Sequence, residues 1–252
     1  MIHQTTTQLG PTPALIMYQD SLTKAAEQGT ILFFHGLAAS KEAQVKELTN
    51  LAEHGFLVIG LDNVGHGARR YADFESRFSR ANPNLEADFL RAVLETAQEV
   101  PLIIDALAAE KLTRPNKMGI AGISMGGFIT YTAISLEPRL NVAASILGSP
   151  EWQHDLPESP HHYRHKFNHI RLISQNASLD VDVPAKYARR FHRKLESTYD
   201  DYNQRLAYFE YPHSEHTMTE SDWAACWGRT VKWFKHHFAH PNQKIKWYEE
   251  TK

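Results

Sequence analysis

The stretch Gly119-Ile120-Ala121-Gly122-Ile123-Ser124-Met125-Gly126-Gly127 decides how this 252-residue chain is read. An apolar run ends abruptly at a serine, and a helix-competent run begins directly after it. The pattern G-x-S-x-G in that setting predicts a strand over residues 117–123, a cramped turn at Ser124 and a helix opening at Met125. Side chains at the flanks of such a turn would collide, which accounts for Gly122 and Gly126. The Ser124 hydroxyl is lifted above the sheet edge. The Met125 backbone N–H, at a helix N-terminus, is aimed at negative charge developing beside it.

Outward from this elbow, strand and helix patterns alternate. Residues 3–18 read as two short strands broken at Gly10-Pro11, and 30–34 as a buried parallel strand ending at His35-Gly36. A helix is expected over 41–54, stopped by Gly55, then a strand over 56–61. Residues 85–109 form a helical stretch in which Pro101 predicts a kink or a break near Val100. Beyond the elbow come a helix over 125–136, a strand over 141–147, a strand over 171–174 and a helix from Pro184 to about Leu195. A final strand over 206–211 and a helix over 220–238 complete the pattern. The alternation predicts an α/β fold: a mostly parallel eight-stranded sheet with helices on both faces, in one domain spanning 1–252. Two segments break the rhythm, 69–84 and 149–168, both after strand C-termini where open α/β sheets keep their crevice. They read as crevice walls, the second as a small cap around 149–169.

A serine hydroxyl attacks at neutral pH only if a base takes its proton, and that base needs an acid to fix its tautomer. The chain supplies both in order. For the acid, Asp180 lies in the loop before Pro184, with Asp182 as the alternative or as a capping group for the following helix. For the base, His216 is preferred to His213, because three further residues let the loop turn back over Ser124. In the early loop His35-Gly36-Leu37, Gly36 permits a sharp turn, and the Leu37 N–H is placed to join that of Met125 as an oxyanion hole. His35 and Trp152 are candidate pocket-lining residues.

Composition bounds the rest. Twenty-seven basic and 29 acidic residues give a net charge of -2 with no basic stripe, so neither nucleic acid nor an anionic membrane surface is an expected partner. Cys226 is the only cysteine, which excludes an intrachain disulfide. Without a recognisable signal segment or a membrane-length apolar run, a soluble cytoplasmic protein is expected. His161, His165 and His169, with His162, recur at helical spacing but lack accompanying acidic or thiol ligands, so no metal site is expected. Trp223, Trp227, Trp233 and Phe234 read as core positions of the last helix. The turn Asp62-Asn63-Val64-Gly65-His66-Gly67 reads as structural.

Taken together, His35-Gly36, Asp62 to Gly67, Gly122-Ile123-Ser124-Met125-Gly126-Gly127, Asp180 ahead of Val183-Pro184, and His216 make the chain resemble an α/β-hydrolase-fold serine esterase. The likeness is to small bacterial esterases of the prolyl-oligopeptidase and dienelactone-hydrolase type. One stretch departs from that family, Gln175-Asn176-Ala177-Ser178-Leu179, just before the acid. The resemblance implies hydrolysis of short-chain carboxylic esters through an acyl-enzyme, with no cofactor and a small-molecule ester as the partner. Peptidase or thioesterase chemistry on the same residues, or a binding protein that keeps the fold without turnover, are the alternatives. The oligomeric state is left open, a homo-oligomer included.

Overall fold

The computed structural model describes residues 1–152, 156–199, 205–245 and 247. Strands β1 (Ile2–Leu9) and β2 (Thr12–Gln19) form an antiparallel hairpin, followed by helix α1 (Leu22–Gln28), strand β3 (Thr30–Phe34), helix α2 (Val45–Glu53) and strand β4 (Leu57–Leu61). Next come the short helix α3 (Phe74–Arg77), the long helix α4 (Leu85–Ala109), strand β5 (Met118–Ile123), helix α5 (Met125–Leu136) and strand β6 (Val142–Ile146). The chain continues through strand β7 (Arg171–Ala177), helix α6 (Ala185–Glu196), strand β8 (Leu206–Tyr211) and helix α7 (Glu220–Ala239). The eight strands lie in the order β1-β2-β4-β3-β5-β6-β7-β8. β2 pairs antiparallel with β4, and every pair from β4 to β8 is parallel.

The period of two along a strand sends neighbouring side chains to opposite faces. In β3, Leu32 and Phe34 join a core formed with α1, α4, α5 and α6, whereas Ile31 and Phe33 join one formed with α2 and α7. Both faces are therefore covered, and β3 and β4 are buried along their whole length, as their unbroken apolar sequences require.

Three sequence-based expectations need correction. Of the kink or break expected at Pro101, the break does not occur: α4 runs through Pro101 as one helix, with the buried residues Val93, Ala97, Val100, Ile103, Ile104 and Leu107 anchoring it on both sides. α1, capped by the Ser21 hydroxyl accepting from the Lys24 N–H (3.3 Å), has no counterpart in the sequence reading. β7 extends three residues beyond the expected end, to Ala177. The polar residues that concealed this extension are buried, and apart from Asn176 Oδ1 their side-chain polar atoms find partners among the described residues. Gln175 donates to the Cys226 carbonyl (3.0 Å) and to Thr230 Oγ1 (2.9 Å), and Asn176 donates to the Gly148 carbonyl (3.0 Å). Part of the expected cap, residues 153–155, lies outside the described residues. The following segment Pro160–Phe167 is a 3₁₀ helix, with Tyr163 off helical geometry, so the histidine spacing does not define one α-helical face. Among the described residues, no helix is long and apolar enough to cross a membrane.

Candidate active site

β3, β5, β6, β7 and β8 are parallel neighbours, so the loops leaving their C-terminal ends converge on one edge of the sheet. Ser124 follows β5 in a backbone conformation rare for a non-glycine residue, φ 55° and ψ −114°. The turn closes too tightly for side chains beside it. A Cβ on Gly122 would lie 2.2 Å from the Gly126 carbonyl oxygen, and one on Gly126 would lie 2.0 Å from that of Phe34. Both glycines are therefore required by contact, as the sequence predicts. In the loop after β3 the outcome differs. A Cβ on Gly36 would make only ordinary contacts at 3.6 Å, and the left-handed residue there is Ala38 (φ 62°).

The loop after β8 brings His216 over the elbow, with Nε2 2.9 Å from Ser124 Oγ. The loop after β7 brings Asp180 to the other side of the imidazole, with Oδ2 2.7 Å from Nδ1. Asp180 is 5% exposed, and its Oδ1 accepts the N–H groups of Asp182 (3.0 Å) and Val183 (2.8 Å). Asp182 turns outward instead, its carboxylate 3.4 Å from Arg80, and the residue heading α6 is Pro184. The two loops are stitched together by backbone bonds, Ser178 N–H to the Tyr211 carbonyl and Leu179 N–H to the Ser214 carbonyl, both 3.0 Å. Ser214 in turn donates to Asp222 (2.7 Å) and accepts the Thr219 N–H (3.1 Å), tying the histidine loop to α7. His213 is exposed. The hydrogen bond to the Asp180 carboxylate raises the His216 pKa above its ordinary value, against the opposing pull of burial.

Ser124 and His216 open into a cavity of about 800 Å³. Six aromatic side chains stand in its wall, Phe78, Phe89, Phe128, Trp152, Tyr187 and Trp223, among aliphatic, polar and charged residues. Leu37 also lines it, and Met125 begins α5, where the first N–H groups of a helix have no partner within it. Trp152 lines this cavity, and His35 does not. It is 1% exposed behind the wall, accepting the Asn63 N–H at Nε2 (3.1 Å), with Nδ1 2.7 Å from the Gly36 carbonyl. Burial lowers its pKa to about 4, so it is a neutral brace for the loop after β3. Asp62 is likewise structural. Fully buried, it accepts from the Lys41 N–H and Nζ and from the Ala68 N–H, all at 2.9 Å, and these bonds hold its carboxyl below the usual range despite burial. Trp223 lines the cavity as well as packing, partly buried, against the cluster of Ile146, Leu147, Ala177, Tyr211 and Cys226, which Trp227 also joins, whereas Trp233 and Phe234 are fully buried as expected.

A second serine–histidine pair lies deeper. His192 Nε2 is 2.6 Å from Ser174 Oγ, which is also 2.5 Å from the Tyr131 hydroxyl. Ser174 and Tyr131 are fully buried, His192 is 2% exposed, and none of the three lines the cavity. Burial lowers the His192 pKa to about 3. A pair sealed from solvent has no route for an acyl donor, so this cluster is a polar brace between β7, α5 and α6. Among the described residues, no group of three or more His, Cys, Asp or Glu side chains is placed to hold a metal ion.

The family profile described as serine aminopeptidase S33 matches residues 25–242. The chain belongs to the serine aminopeptidase S33 family. It has the α/β-hydrolase architecture and a serine-hydrolase-type site with a serine–histidine pair at hydrogen-bonding distance. A Bacillus subtilis protein named "Putative esterase YitV" is 23% identical over 81% of this chain and 88% of its own length. The structure of TT1662 from Thermus thermophilus superposes with a TM-score of 0.77 at 21% identity, covering 93% of this chain and 99% of that one. A puromycin-hydrolyzing peptidase of Mycobacterium tuberculosis superposes at 0.68 and 18% identity, over 97% of this chain and 40% of its own. At these identities the two superpositions establish a shared fold.

Proposed function

We propose that this member of the S33 family hydrolyses carboxylic esters of small acyl groups through a Ser124–His216–Asp180 triad. The observation that carries the proposal is the unbroken hydrogen-bond relay from Ser124 Oγ through His216 to Asp180 at 2.9 and 2.7 Å, opening into an apolar cavity. His216 takes the serine proton as Ser124 attacks the carbonyl, then returns it to the departing alkoxide. Asp180 keeps Nδ1 protonated and stabilises the imidazolium. The Leu37 and Met125 N–H groups receive the oxyanion, a contribution worth about a hundred- to a thousandfold per donor. Water then repeats the sequence on the acyl-enzyme. Of the expected cap, the described residues 149–152 and 156–169 act as a small cover on the alcohol or acyl side.

Peptidase action on the same residues is the second reading, favoured by the family's name and by the peptidase relative. An aminopeptidase needs a carboxylate to receive the substrate ammonium. Here the acids lining the cavity are already engaged: Glu151 by Arg190, Asp182 by Arg80, and Glu86 by a partner of its own. Side-by-side turnover of p-nitrophenyl butyrate and alanine p-nitroanilide separates the two. The ester is expected to turn over with a burst of one nitrophenolate per site, well ahead of the anilide. Because the activated ester is intrinsically the more labile bond, the anilide decides: measurable anilide turnover that is lost in Ser124→Ala would replace the esterase reading with the peptidase one.

The raised His216 pKa sets the pH dependence. The base must be neutral to accept a proton, so ester kcat/KM falls on the acid side with a midpoint above the ordinary histidine value of 6.5. A pH–rate profile from pH 5 to 9 checks this, and a midpoint at or below the ordinary value would contradict it.

A further inference from the structure

A second cavity of about 620 Å³ adjoins the first, and Glu151, Trp152 and Tyr187 line both. Its remaining described wall is His161, Lys186, Arg190 and Lys194. Lys186, Arg190 and Lys194 are spaced four residues apart on α6, which places them along one helix face. Among the described residues, Glu151 is the only acid lining this cavity, and it is already paired with Arg190, its Oε2 3.0 Å from Nε. Lys186 and Lys194 have no carboxylate partner among the described residues, and the Lys186 ammonium lies 4.9 Å from the centre of the Tyr187 ring. The first cavity also has room well beyond a short acyl chain, being near the upper end of the range for small-molecule sites, about 300–1,000 Å³.

We infer that the second cavity is an anion-binding subsite, and that the natural ester carries a carboxylate or phosphate remote from its scissile bond. The apolar part of the substrate spans the aromatic side chains of the first cavity, and its anionic end sits between Lys186 and Lys194. This rests on the ester reading of Ser124 for its catalytic test but not for its binding test.

Two measurements decide it. Calorimetry on the wild-type protein with 4-phenylbutyrate, 4-phenylbutyl phosphate and uncharged 4-phenylbutyramide reads the subsite without any chemistry. One or both anions are expected to bind at least about tenfold more tightly than the amide, with the gap shrinking as salt is raised. The better anion identifies the head group. Kinetics then compare ester pairs of equal length, p-nitrophenyl hemiadipate against p-nitrophenyl hexanoate for an acyl-side anion, and 4-acetoxyphenylacetate against its amide for an alcohol-side anion. In at least one pair the kcat/KM ratio should favour the anion, and that ratio should fall about tenfold in Lys186→Ala/Lys194→Ala. The ratio is internally normalised, so a general loss of folded protein does not mimic the effect. Equal binding of anions and amide, or a ratio indifferent to the double substitution in both pairs, overturns the subsite. Absence of turnover on every ester alongside selective anion binding would instead overturn the esterase reading and leave the subsite standing.

Discussion

Ser124→Ala is expected to lower the turnover number on p-nitrophenyl butyrate by about a millionfold, with little change in KM. The size follows from how serine-hydrolase machinery behaves as a unit: once the nucleophile is gone, His216 has no proton to take, and only the oxyanion donors and substrate positioning still act, leaving about a thousandfold over water. The substitution itself is mild. Alanine removes one oxygen from a position whose backbone is held by Gly122 and Gly126 on either side, and the elbow contacts are untouched. Ser174→Ala is the informative partner experiment. It disrupts the buried cluster with Tyr131 and His192 and should cost roughly 1–3 kcal/mol of stability by leaving their polar groups unpaired, while ester turnover persists in the folded fraction. Substantial activity in Ser124→Ala, or its loss in folded Ser174→Ala, would move the nucleophile.

Asp180→Asn should reduce kcat by about ten-thousandfold, whereas Asp182→Asn should change it by less than about twofold. The contrast comes from the bonds around Asp180. Its Oδ1 is held by the Asp182 and Val183 N–H groups, so an asparagine keeps its carbonyl oxygen there and presents its NH₂ to His216. Nδ1 must then accept, the ring proton moves to Nε2, and Nε2 can no longer take the proton from Ser124. The loop stays folded while the imidazole is fixed in the wrong tautomer. Asp182, more than half exposed and 3.4 Å from Arg80, has no such lever. Thermal unfolding alongside the kinetics separates the effects: Asp180→Asn should lose rate far out of proportion to stability. A rate near wild type in Asp180→Asn would remove Asp180 from the relay.

The elbow was legible because its two signals, an apolar strand and glycines at fixed offsets from a serine, are both local. β3, α5 and β8 follow from periodicity in the same way, and their bounds agree with the sequence reading within a residue or so. What local pattern could not supply is instructive. Gln175 and Asn176 look like loop residues, yet they belong to β7, where Cys226, Thr230, Tyr211 and Gly148 take up their hydrogen bonds from distant parts of the chain. Polarity alone does not distinguish a solvated loop from a strand whose polar groups are met elsewhere. The crevice walls expected at 69–84 and 149–168 supply Phe78 and Trp152 to the cavity, but the part of its wall carried by helices is hidden for a related reason. Phe89, Tyr187 and Trp223 sit on helices, where aromatic spacing reads as core, and only the packing of those helices around the sheet edge shows that they face a void. His35 erred in the other direction, a polar residue beside a candidate oxyanion loop that folds inward to Asn63.

The backbone bonds joining the loops after β7 and β8 have a consequence for how this scaffold can diverge. Carboxylate and imidazole reach the elbow as one cassette, since Ser178 and Leu179 of the first loop hang on Tyr211 and Ser214 of the second. Lengthening either loop alone would drag both groups off the serine at once. Changes of specificity are therefore channelled into the segments that lean on this cassette without belonging to it, those after β4 and β6, where insertions can reshape the chamber and leave the proton path intact.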